Sequence, residues 1–178
     1  MKRIILGLLI LTSTLIARAQ YKPVDAGSSV KFKIKNFGFN LGGSFTGLNG
    51  SIKFDPSNPG SSSFDVTIDA SKVNTDNESR DEHLREETYF DVKNHPVIRI
   101  VSSKITAGSK SGNFQLVANL TIKGKTKEIN FPFSAVADGD GFIFKGEFKM
   151  NRRDFAIGGS STLSDSVEVM LTIAAKKT

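Results

Sequence analysis

The 178-residue sequence has no cysteine and no tryptophan, and only two histidines and two tyrosines. Without cysteine there is no disulfide framework, thiolate zinc site, cysteine nucleophile or lipid-modified thiol. The histidines, His83 and His95, are too far apart for an H-E-x-x-H site. No apolar run reaches the roughly 20 residues of a membrane-spanning helix, so no permanent membrane anchor is expected. Basic residues exceed acidic ones, 24 to 18, but they are scattered and never alternate with a row of aromatics, which leaves nucleic-acid binding without support.

Catalytic patterns are equally scarce. Gly158-Gly159-Ser160 lacks the G-x-S-x-G elbow of a nucleophilic serine. Gly38-Phe39-Asn40-Leu41-Gly42-Gly43 matches neither phosphate-binding loop and reads as a hairpin loop between strands. Asp81 and His83 lie two apart in a charged segment, where solvated or capping roles are the ordinary outcome. The expectation is a protein that is not an enzyme and has no cofactor.

What is present begins with Met1-Lys2-Arg3, an apolar run from Ile4 to Ile16 and Ala17-Arg18-Ala19 before Gln20. A basic start, a short apolar run and an A-x-A site predict a cleavable secretory signal over residues 1–19 and one mature domain over 20–178. Removing that segment takes Lys2, Arg3 and Arg18 and lowers the formal net charge from +6 to +3. Export without cysteine points to a periplasmic or secreted protein.

The mature chain is dominated by a period of two. Val30, Phe32 and Ile34 alternate with Lys31, Lys33 and Lys35, and Phe64, Val66 and Ile68 with Asp65, Thr67 and Asp69. The pattern returns over 114–122, 129–135, 142–150 and 167–175, and segments 48–55 and 97–106 bring the strands to eight. Connections such as Lys123-Gly124-Lys125 and Asp138-Gly139-Asp140-Gly141 are short and carry turn residues, which implies antiparallel neighbours. Between the third and fourth strands, Asn77 to Glu87 has no alternation and predicts a short helix behind a Thr75-Asp76-Asn77 cap cluster. An all-β, eight-stranded antiparallel barrel follows.

Lysines on the polar faces, with few aromatics for girdles, favour a barrel in water over one in an outer membrane. About 10 residues per strand give a height of roughly 25 Å, suited to an elongated ligand. Gly50 and Gly146 fall among large inward residues, leaving either ligand space or relief from crowding by phenylalanine. Alternation selects Phe32, Ile34, Phe54, Phe131, Phe133, Phe144 and Leu171 as candidate wall residues.

The chain resembles the YceI-like family, the lipocalin-like bacterial proteins associated with polyisoprenoid binding. The resemblance rests on Val73-Asn74-Thr75-Asp76, Arg80-Asp81-Glu82-His83-Leu84-Arg85, Tyr89-Phe90-Asp91 and His95-Pro96, supported by 50–56, 120–127 and Arg153-Asp154-Phe155. It implies a lipocalin-like barrel, exported, whose bore holds a quinone tail, a polyprenyl lipid or another long amphiphile for transport or storage, with homodimers known in the family. It also implies that Arg80, Asp81 and His83 brace the helix. The competing expectation is a closed-core barrel acting as an interaction or stress-response module, with an exposed apolar patch around Phe37, Phe39 and Leu41.

Overall fold

The computed structural model describes residues 19–178; the signal expected over 1–19 therefore lies, but for Ala19, outside the described residues. Among the described residues, nine strands run β1 (Gln20–Asn36), β2 (Phe39–Phe45), β3 (Asn49–Lys53), β4 (Ser63–Asp69), β5 (Val97–Ala107), β6 (Asn113–Ile122), β7 (Lys125–Asp138), β8 (Gly141–Asn151) and β9 (Leu163–Lys177). A helix, α1 (Glu78–Arg85), lies between β4 and β5. All pairings are antiparallel between neighbours, and β1 closes the sheet against β9 from Tyr21↔Lys177 to Asn36↔Leu163.

The strands make eight staves because β2 and β3 share one. Strand β2 pairs with the second half of β1, Val30 to Asn36, whereas β3 meets only Gln20 and Tyr21 at its start. The break at Thr46-Gly47-Leu48 is held by Asp25, whose carboxylate accepts from the Gly47 and Leu48 amides at 2.9–3.0 Å. The expectation of a loop over Gly38–Gly43 is thus corrected: Phe39–Phe45 is a strand. Its glycines hid it, and one of them is required, since a Cβ on Gly43 would lie 2.5 Å from the Phe32 ring.

The closing ladder carries a bulge between Val24 and Ser29. Ser28 repairs it, its hydroxyl accepting from the Ala174 amide at 2.8 Å and donating to the Val24 carbonyl at 2.5 Å. The ladder between β7 and β8 is short, running only from Phe133↔Gly146 to Asp138↔Gly141. Beyond Gly146 the two strands part, and Phe131 stacks on Phe148 at 4.8 Å across the gap.

Alternation sends Phe, Ile, Leu and Val inward and Lys outward, so the core is the barrel interior. Helix α1 starts at Asn77, whose side chain accepts from the Arg80 amide at 2.9 Å. Two surface aspartates have pKa values below the ordinary carboxylate value. Asp65 is lowered chiefly by its hydrogen bonds from Arg99, and Asp69 chiefly by the Ser71 hydroxyl, with the Ser71 amide and Lys72 adding to it. A carboxylate lowered in the folded state adds stability above its unfolded pKa and loses it as pH falls through the folded one. The Asp69→Asn variant is therefore expected to lose less stability than the parent below about pH 4, measured by denaturant titration at a series of pH values.

Candidate functional site

The mutual packing of phenylalanine rings around Phe54 closes one end of the interior. Phe54, just past β3, is 4% exposed and sits 5.1 Å from the rings of Phe114, Phe142 and Phe144, mostly edge-on. Phe64 and Phe133 complete the cluster, which forms a floor. Above it lies a cavity of ≈ 210 Å³ with an almost wholly apolar wall. Along β8 its lining runs from Phe144 to Met150, about 20 Å of strand, so the space is narrow and long.

Six of the seven residues selected by alternation line this cavity: Phe32, Ile34, Phe131, Phe133, Phe144 and Leu171. Phe54 does not, because its ring is spent in the floor. The two interior glycines also resolve. At Gly146 the Phe131 ring fills the place of a side chain, 2.9 Å from a Cβ, which is relief from crowding. At Gly50 the cause is the backbone: φ is +127° and a Cβ would stand 2.1 Å from the Asp65 carbonyl oxygen.

The far end is covered by residues that the alternation did not offer. Leu84, from α1, and Tyr89 and Phe90, from the turn after it, face the cavity, with Phe90 set edge-on against Phe45 at 5.3 Å. Arg80 and Asp81 do brace this segment. The Asp81 carboxylate accepts from the Thr75 amide and hydroxyl at 2.9 and 2.5 Å, and Arg80 donates to the Thr75 hydroxyl and carbonyl oxygens. Asp81 is buried and His83 exposed, so the two do not form a dyad.

One charged residue borders the cavity from a buried position. Arg152 is 1% exposed, yet every N–H of its guanidinium is taken. Nε donates to the Ser164 carbonyl at 3.0 Å, Nη1 to those of Ile157 and Gly159, and Nη2 to those of Ser161 and Leu163. Arg152 therefore holds the loop before β9 and has no donor left for a ligand. A signal for it did exist, since it continues the inward parity of Phe144, Phe148 and Met150. Among the described residues, no three His, Asp or Glu side chains converge as metal ligands would.

A blind, apolar, elongated bore under a helical cover is the geometry to set beside known proteins. A family model described as the YceI-like domain matches residues 21–175. The chain belongs to the YceI-like family. Similar curated proteins include a UPF0312 protein of Pseudomonas aeruginosa, 30% identical over 178 residues and covering 94% of this chain and 92% of that one. Another, from Pectobacterium atrosepticum, is 29% identical over 172 residues, covering 90% and 87%. Among solved structures, Burkholderia cenocepacia BcnA superposes with a TM-score of 0.79 at 25% identity, covering 85% of this chain and 98% of that one. A domain from Saccharophagus degradans described as polyisoprenoid binding gives 0.72 at 14% identity, covering 90% and 99%, a likeness of fold. The YceI-like assignment and the closed eight-stranded barrel agree with the sequence reading.

Proposed function

We propose that this YceI-like protein carries or stores a long isoprenoid, such as a quinone tail or polyprenyl lipid, or a similar amphiphile, with the apolar chain in the bore and the polar head at the covered end. The observation that carries this reading is the cavity's form. It is narrow, long, closed at one end by aromatic rings and almost free of polar atoms, which suits a flexible hydrocarbon chain and offers nothing to a polar substrate. Each five-carbon unit buried there is worth roughly 4 kcal/mol before ordering costs, so a few units give tight binding. The family supports the reading through a structural neighbour described as polyisoprenoid binding. An exported location, periplasmic or secreted, fits the composition of residues 1–19 and belongs to the same proposal.

Native mass spectrometry of protein taken from its host, followed by organic extraction, tests it. A stoichiometric adduct that extracts as a prenyl lipid is the expected result. Leu171→Trp, which places an indole in the bore, should leave the fold intact and reduce uptake of a prenyl alcohol at least about ten-fold. A parent protein that takes up no apolar chain overturns the reading.

A further inference from the structure

The tip of the β1–β2 hairpin is costly in a way that folding does not explain. Asn36 pairs with Phe39, so Phe37 and Gly38 form a two-residue turn, and both have positive φ, 48° and 85°. This geometry suits Asn-Gly and strains a bulky side chain. The β6–β7 hairpin repeats it with a soluble residue, Lys123, at φ 49°. At the β1–β2 tip a phenyl ring takes the strained position, and Phe37 and Phe39 are each 76% exposed. Strain and exposure in one residue point to a use outside the folded core.

The surroundings identify the use. Phe39 lies on the face of the hairpin that carries Ile34 and Leu41 as a cross-strand pair, and Ile34 lines the cavity. The exposed ring thus continues the apolar interior past the rim. On the opposite face Lys33 and Lys35 are exposed. Glu168, which faces Lys33 in the ladder, is also 3.3 Å from Lys149, so the surface beside the hairpin keeps a positive excess.

We infer that the Phe37–Phe39 tip is a membrane-docking element that inserts its two rings into the surface of an anionic bilayer while Lys33 and Lys35 meet the headgroups. Two rings and two lysines give reversible attachment, which weakens with salt. Docking stands on the hairpin alone and does not depend on the carrier reading.

The test uses the chain from Gln20 onward, which contains every strand of the closed barrel, in flotation with vesicles. The parent should float with phosphatidylethanolamine–phosphatidylglycerol vesicles, less in high salt and less with phosphatidylcholine. Phe37→Asn with Phe39→Ser should lower the bound fraction about ten-fold. Phe37→Asn alone should leave the thermal midpoint equal to or above the parent's, because it relaxes the turn, so lost docking is not lost folding. Uptake of a dispersed prenyl alcohol should be unchanged in the double variant; a parent that floats but takes up no prenyl chain defeats the carrier reading and leaves docking standing. A parent that does not float, a double variant that floats equally, or a dimer that the double variant abolishes would each overturn the docking proposal.

Discussion

Replacing Arg152 by methionine is expected to cost about 3–5 kcal/mol of folding stability, among the larger single-residue effects in this barrel. The methionine fills much of the volume but donates nothing, and five carbonyl oxygens between Ile157 and Ser164 lose their partner together. For a chain of this size that loss lowers the melting temperature by roughly 10 °C. Arg152→Lys should recover only part of it, since an ammonium has three donors on one centre and lacks the planar fork that spans the loop. Thermal and urea unfolding of the two variants check this. A lysine variant as stable as the parent would mean that charge, not geometry, holds the loop.

The second large effect belongs to the floor. Phe54→Ala removes the ring around which Phe64, Phe114, Phe133, Phe142 and Phe144 are arranged. Such a truncation costs about 3–5 kcal/mol. Surviving protein should have a deeper bore, because the void opens beneath the cavity. On the carrier reading, its preference among prenyl alcohols shifts toward longer chains, which a competition series of increasing length would reveal. Phe54→Leu, which keeps most of the volume, should show a smaller loss and little change of preference.

The sequence was most informative where a strand has one face in water and one in the core. Val30 to Lys35 and Phe142 to Met150 declare inside and outside residue by residue, and a closed barrel follows from such strands joined by tight turns. Periodicity gives direction but not height. Phe54 and Phe144 both point inward, yet one lies within the floor and the other also borders the hollow, a difference set by the stagger of neighbouring strands. Strand β2 was hidden for a related reason: Gly42 and Gly43 carry no side chain to alternate, and Gly43 must not, because the Phe32 ring lies there. Leu84, Tyr89 and Phe90 reach the cavity from a segment without strand period, where only tertiary packing decides which residues turn inward.

The ladder between β1 and β9 joins the two ends of the described chain, with the Thr178 amide donating to the Gln20 carbonyl at 3.0 Å. Most contacts in the seam are more than a hundred residues apart, a topology that folds slowly. Until Leu163–Lys177 arrives, β1 waits with an unpaired edge, the kind of surface that adds strands from other molecules. Lys31, Lys33 and Lys35 on β1, Pro23 near its start and Lys176-Lys177 on β9 are the residue types that discourage such pairing. The lysines that keep the finished barrel's outer face in water thus also protect the half-made one from aggregation.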